Sequence, residues 1–93
     1  MIRSFGDRDT ERVWLRESAR RIDPGIHKAA NRRLSQLDAA TALNSLRVPP
    51  GNRLEALTGD RKSQHSIRVN DQWSICFVRT DAGPENVIIE DYH

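Results

Sequence analysis

The half of the chain that is rich in strand-forming residues carries side chains suited to metal-free cleavage of RNA. That reaction needs a base for the attacking 2′-hydroxyl, cations for the phosphate oxygens and an acid for the leaving oxygen. Glu55 can act as the base, and His93 can exchange protons near neutral pH. Tyr92 can donate a proton or stack on a nucleobase. Arg61 and Arg68 can bind phosphate through their guanidinium groups.

The charge composition is compatible with a nucleic-acid partner. The chain has 15 Lys+Arg against 13 Asp+Glu and a pI of about 9.2, and its only lysines are Lys28 and Lys62. A planar guanidinium matches the oxygens of phosphate better than an ammonium group does. The composition alone is equally compatible with a solvated arginine-rich surface that has no specific partner.

Other chemistries have little support in the residue spacing. Cys76 is the single cysteine, which excludes a disulfide within the chain, and we expect it to pack rather than act as a nucleophile. The three histidines, His27, His65 and His93, lack metal-ligand spacing, so we expect neither a metal nor a cofactor. No window approaches the roughly 18 apolar residues of a membrane span, so we expect a cytoplasmic protein without membrane contact.

Hydrophobic periodicity and turn residues predict the elements that must position these side chains. In chain order they are a strand at 2–5, a helix at about 7–22, a helix at about 24–42, and strands at 53–57, 64–69, 73–78 and 86–92. Asp7 or Asp9 is expected to cap the first helix, and Asp23 the second. Residues 43–52 include two prolines and few apolar anchors, which predicts a loosely held connector.

Helices that precede a run of strands predict an α+β fold. The expected order is β-α-α-β-β-β-β, with two antiparallel helices packed on a mainly antiparallel sheet in a single domain, residues 1–93. If Ile67 and Ile75 face the helices, strand alternation turns Arg68 and Ser74 to the other side. The same alternation turns out Ser66 and Cys76, which predicts an open polar sheet face with Glu55 and residues 91–93 at strand ends.

Four segments together resemble the HigB branch of the RelE/ParE toxin superfamily. They are the opening 2–5, the stretch 54–61 (LEALTGDR), the hairpin 66–73 (SIRVNDQW) and the ending 90–93 (EDYH). The resemblance implies a microbial RNase-like fold and a toxin of a bacterial type II toxin-antitoxin system that cleaves mRNA on the ribosome. It also implies a cognate helix-turn-helix antitoxin, a monomeric free toxin and a heterotetrameric complex.

By position, the resemblance assigns Asp91, Tyr92 and His93 to the C-terminal catalytic cluster of the family. It assigns Arg61 and Lys62 to a basic loop that binds RNA, and Arg68 is expected to bind RNA beside them.

The chain departs from the family pattern at three positions. Glu55 stands where some relatives have a histidine, so the base is expected to differ. Ser74 follows the hairpin tryptophan, where an arginine that holds the scissile phosphate is typical, and Ser63 stands where glycine is usual. We therefore expect an attenuated toxin.

Two other functions are compatible with the same fold. The first is a ParE-like, non-enzymatic inhibitor of DNA gyrase, and the second is a catalytically dead module that binds RNA or antitoxin. The Asp91-Tyr92-His93 cluster favours the nuclease, because gyrase inhibition requires no acid-base set. Ser74 favours the dead module.

Overall fold

The computed structural model describes residues 1–61 and 63–91, and two α-helices and a four-stranded antiparallel sheet form its framework. The elements are α1 (Arg8–Trp14), α2 (His27–Ala39), β1 (Glu55–Ala56), β2 (Gln64–Arg68), β3 (Trp73–Thr80) and β4 (Gly83–Asp91). The strands lie side by side in chain order. This arrangement confirms the predicted α+β class. Neither helix in the described part of the chain is long and apolar enough to cross a membrane.

The predicted opening strand at 2–5 forms only a single parallel bridge, between Phe5 and Val87 of β4. The amide of Gly6 donates to the carbonyl of Val87 (2.7 Å), so the segment follows the edge of β4 without forming a regular strand. Asn86, the residue before Val87, has a positive φ of 51°, which departs from extended strand geometry. The described order of regular elements therefore begins with the helices, which corrects the expected β-α-α-β-β-β-β order.

Helix α1 begins where predicted and ends early. The carboxylate of Asp7 accepts a hydrogen bond from the amide of the third helical residue (3.0 Å), as an N-cap does. The helix ends at Trp14, because Arg16 takes a left-handed backbone (φ 62°) and the next amides bond back across the last turn. The predicted extension to Ile22 was wrong. Leu15, the first residue after the helix, is 57% exposed.

Helix α2 begins at His27, three residues after the predicted start, and Asp23 caps the 3₁₀ turn before it rather than α2 itself. A 3₁₀ turn, Pro24–Ile26, leads into it, and the carboxylate of Asp23 accepts a hydrogen bond from the amide of Gly25 (2.8 Å). The helix ends at Ala39, a little before the predicted end at Ala42.

The core lies between the helices and one face of the sheet. Its fully buried apolar side chains include Leu34, Leu37, Ile67, Ile75, Phe77, Val87 and Ile89. The hydroxyl of Thr10 in α1 accepts a hydrogen bond from the amide of Ile89 (2.9 Å), which ties α1 to β4. Because both helices pack on this face, the opposite face of the sheet is left for other contacts.

The connector between α2 and β1 is well anchored. It contains two 3₁₀ turns, Leu43–Arg47 and Pro50–Asn52, and the side chains of Leu46 and Asn52 are buried. The side-chain amide nitrogen of Asn52 donates to the side-chain oxygen of Gln36 (3.0 Å) and to the backbone carbonyl of Leu46 (3.2 Å). Buried side chains therefore anchor this segment, and its predicted mobility stays a prediction.

Candidate functional site

Two rows of paired residues cross the sheet on the face opposite the helices. One row consists of Glu55, Ser66, Cys76 and Ile88, and the other of Arg68, Ser74 and Glu90. Residues paired directly across antiparallel strands point to the same side, so each row shares one face. Ile67 pairs with Ile75 on the core side, which confirms the predicted alternation.

One end of this face forms an open cleft of about 160 Å³, here called the Glu55 cleft. Its walls are formed by Arg53, Glu55, Ser66, Arg68, Asn70, Asp71 and Ser74. Glu55 is exposed, whereas Arg68 and Ser74 are half-buried. The structure thus brings together three residues that the sequence singled out: Glu55, Arg68 and Ser74.

Among residues 1–61 and 63–91, the only carboxylate paired with Arg68 is a weak partner. The guanidinium of Arg68 lies 3.7 Å from a carboxylate oxygen of Asp71, whose side chain is 105% exposed. Solvent screens such a pair almost completely. The backbone of Arg68 is better held, because the side chain of Arg33 in α2 donates to its carbonyl (3.1 Å). A firmly placed arginine with a weak partner is well suited to take an external anion.

A different arrangement covers the middle of the same face, and we call it the Arg61–Glu90 clamp. Both terminal nitrogens of Arg61 donate to the Glu90 carboxylate, each at 2.9 Å. Arg61 also donates to the side-chain oxygen of Gln64 at 2.9 and 3.2 Å. The hydrogen bonds to Glu90 raise the pKa of Arg61. Arg61, predicted to bind RNA, is therefore already paired with an internal carboxylate.

The clamp helps to close the face that the sequence predicted to be open. Ser66 is 5% exposed and Cys76 is fully buried. The thiol of Cys76 lies 3.7 Å from a Glu90 oxygen. Burial, followed by the negative charge of Glu90, raises the pKa of Cys76 to about 11. The thiol is therefore protonated at neutral pH, which agrees with a packing role and not with a nucleophile.

Asp91 lies on the other side of the sheet from Glu90. It pairs with Trp73, which faces the core, and its carboxylate accepts a hydrogen bond from the side chain of Gln72 (2.9 Å). The structure does not place this carboxylate in the Glu55 cleft. Lys62, Tyr92 and His93 lie outside the described residues, and their predicted roles stay predictions.

Sequence reasoning missed four residues of this face: Arg53, Asn70, Asp71 and Glu90. Two of them could have been predicted from strand alternation. The predicted strand at 53–57 puts Arg53 on the side of Glu55, and an inward Ile89 turns Glu90 outward. Asn70 and Asp71 belong to the β2–β3 turn, where side-chain direction depends on the turn geometry. The side-chain oxygen of Asn70 accepts hydrogen bonds from the backbone amides of Gln72 (2.9 Å) and Trp73 (2.7 Å).

The Glu55 cleft combines a carboxylate with arginines in a polar, solvent-accessible space. A carboxylate can remove a proton from a hydroxyl, and guanidinium groups can stabilise negative charge on phosphate oxygens. Among residues 1–61 and 63–91, no three His, Cys, Asp or Glu side chains are grouped so that they can hold a metal ion.

Comparison with known proteins identifies the family. A family model described as the RelE-like toxin of type II toxin-antitoxin system HigB matches residues 3–93. The chain is 38% identical over 93 residues to Toxin HigB-1 of Vibrio cholerae serotype O1, covering 99% of this chain and 98% of that protein. It is 31% identical over 72 residues to an uncharacterized protein of Haemophilus influenzae, covering 77% of this chain and 71% of that protein. The chain therefore belongs to the HigB family of RelE-like toxins of type II toxin-antitoxin systems.

Proposed function

We propose that this toxin is a metal-independent endoribonuclease that cleaves mRNA on the ribosome. The observation that carries the proposal is the Glu55 cleft, in which a carboxylate and the guanidinium of Arg68 line one polar space. Inhibition of DNA gyrase would require no such acid-base set. The family resemblance of the C-terminal residues 90–93 supports the same activity.

In this mechanism Glu55 removes the proton from a ribose 2′-hydroxyl, and the resulting oxygen attacks the neighbouring phosphorus. Arg68 stabilises the charge that grows on the phosphate oxygens. The bond to the 5′-oxygen then breaks, and in our proposal that oxygen takes a proton from Tyr92 or His93. The products are a 2′,3′-cyclic phosphate and a free 5′-hydroxyl.

Ser74 makes this enzyme slow in our proposal. It stands between Arg68 and Glu90 in the second row of the sheet face, where an arginine would add a positive charge to the phosphate site. A serine hydroxyl cannot supply that charge. Lys62 adds a cation from the loop, whereas Arg61 can reach RNA only if a phosphate displaces Glu90.

Membership of a type II family implies an antitoxin partner. We propose that this antitoxin carries a helix-turn-helix domain, that the free toxin is a cytoplasmic monomer and that the complex is a heterotetramer. The arginine-rich composition supports a ribosome-bound, RNA-contacting toxin whose binding weakens steeply as salt is raised.

The proposal is tested by expressing the toxin without antitoxin and mapping mRNA 5′ ends in cells. The same mapping is done with purified toxin in a translation extract, with and without ribosomes, and the Glu55→Gln variant serves as the control. We expect new 5′ ends only with ribosomes and only with an intact Glu55. Inhibition of DNA supercoiling by purified gyrase, with no new mRNA ends, would contradict the proposal and support a ParE-like toxin.

A further inference from the structure

Arg53 is a cleft residue to which neither the sequence patterns nor the family resemblance assigned a role. We infer that Arg53 is a second phosphate-binding residue of the Glu55 cleft and that it shares one RNA phosphate with Arg68. This inference rests on the proposed function, because it takes RNA as the ligand. It goes further in naming the group that supplies positive charge where Ser74 cannot.

Arg53 and Arg68 reach the same cleft from neighbouring segments. Arg53 comes two residues before Glu55, the first residue of β1, and Arg68 is the last residue of β2. Glu55 pairs with Ser66, so the antiparallel pairing brings the start of β1 close to the end of β2. Arg53 lies just outside β1, and both arginines line the cleft.

The charges of the two arginines are poorly compensated. Among the described residues Arg53 forms no ion pair, and Arg68 has only the distant, fully exposed carboxylate of Asp71. Two guanidinium groups that line one cleft can bind the same anion, because a phosphodiester has two non-bridging oxygens, one for each guanidinium.

The backbone holds Arg53 on a rigid base. Its φ of 45° and ψ of 57° are left-handed, which is uncommon for a residue other than glycine. Its amide donates to the carbonyl of Pro50 (3.1 Å), and the preceding Asn52 is buried and bonded to Gln36 and Leu46. A base fixed in this way lowers the entropy lost when the side chain binds a ligand.

The chain offers a matched control for this residue. Arg16 is also an exposed arginine with a left-handed backbone (φ 62°), but it lies at the end of α1 and does not line the Glu55 cleft. Glycine adopts the left-handed region readily, so Arg53→Gly and Arg16→Gly each remove one charge without adding backbone strain. We expect both variants to melt at or above the temperature of the unmodified toxin.

The test is binding of a short fluorescent RNA whose riboses are 2′-O-methylated, so that cleavage cannot occur. By fluorescence anisotropy, Arg53→Gly should bind about tenfold more weakly than the unmodified toxin. For this variant the slope of log K against log salt should decrease in magnitude by about 0.7, the value for one phosphate contact on a single strand. Arg53→Lys should keep that slope, and Arg16→Gly should change affinity by less than roughly twofold. Equal affinities for Arg53→Gly and Arg16→Gly would overturn the inference.

A series of RNAs, each with one neutral methylphosphonate linkage, tests whether the two arginines share a phosphate. When the neutral linkage replaces the shared phosphate, neither Arg53→Gly nor Arg68→Ala should weaken RNA binding any further. If the two substitutions lose their effect on affinity at different linkages, the two arginines do not share a phosphate. Cleavage of unmodified mRNA on ribosomes is scored in parallel. If cleavage is absent while the Arg53 effect persists, the proposed function fails and the phosphate site stands.

Discussion

Two regions of one sheet face use the same residue types in opposite ways. In the Arg61–Glu90 clamp, guanidinium and carboxylate meet in a double hydrogen bond at 2.9 Å, with side chains 33% and 24% exposed. In the Glu55 cleft, Arg68 lies 3.7 Å from a fully exposed carboxylate, and Arg53 has no ion pair within the described ranges. In the clamp the arginine and the carboxylate are paired with each other, whereas in the cleft the arginines are available to a ligand.

This difference separates charges that hold the fold from charges that can bind RNA. A bidentate, half-buried pair stabilises the folded state, but its cation is committed to an internal carboxylate. Arginines without close partners add little to stability, and their electrostatic attraction is available to a phosphate. Residue type alone does not reveal which role an arginine has.

The largest expected effect comes from removing the base of the cleft. Glu55→Gln should lower ribosome-dependent mRNA cleavage by about 10² to 10⁴-fold, because the isosteric amide cannot accept the 2′-hydroxyl proton. Glu55 is exposed, so the free energy of unfolding should change by less than about 0.5 kcal/mol. Asp81→Asn, an exposed carboxylate in the β3–β4 turn, is the control. Full cleavage by the Glu55 variant would exclude it as the base.

Adding a charge to the cleft should have the next largest effect. Ser74→Arg should raise the rate of mRNA cleavage by about 10² to 10³-fold, the usual size of one preorganised electrostatic contact, and should strengthen growth arrest accordingly. Ser35→Arg places the same charge on the exposed side of α2 and should change neither measurement. Equal behaviour of the Ser74 variant and the unmodified toxin, at matched expression, would refute the attenuation.

Beneath the clamp, the raised pKa of Cys76 predicts a loss of stability in alkali. The unfolded thiol ionises near pH 9.0, whereas the folded thiol keeps its proton until about pH 11. The folded state thus binds more protons between these values, and the free energy of unfolding should fall as pH rises, by up to roughly 3 kcal/mol. Denaturant melts of the toxin and of Cys76→Ala measure the effect; parallel pH profiles for the two proteins would contradict the assignment.

The smallest expected effect is a difference in coupling free energy between the ion pair of the clamp and the ion pair of the cleft. A double-mutant cycle with Arg61→Met and Glu90→Gln should give a coupling free energy of about 0.5 to 1 kcal/mol for this partly exposed pair. The matched cycle with Arg68→Met and Asp71→Asn should give a coupling near zero. If the second cycle equals the first, the contrast between a closed and an open arginine is wrong.

Features that depend on near neighbours were predictable from the sequence. Asp7 and Asp23 cap helices because their carboxylates bond to amides a few residues ahead. The alternation that turns Arg68 and Ser74 away from the core follows from strand geometry. These local rules placed two members of the Glu55 cleft on the correct face, and a consistent use of them would have added Arg53 and Glu90.

The tertiary structure decided which of these charges are satisfied. Arg61 and Glu90 are 29 positions apart, and they meet because the side chain of Arg61 reaches Glu90 in β4. The end of α1 likewise depends on a left-handed Arg16, for which the sequence offers no glycine. The residue types and strand faces follow from local chemistry along the chain. The partner of each charge follows from strand register and loop path, because electrostatic pairing depends on distance in space.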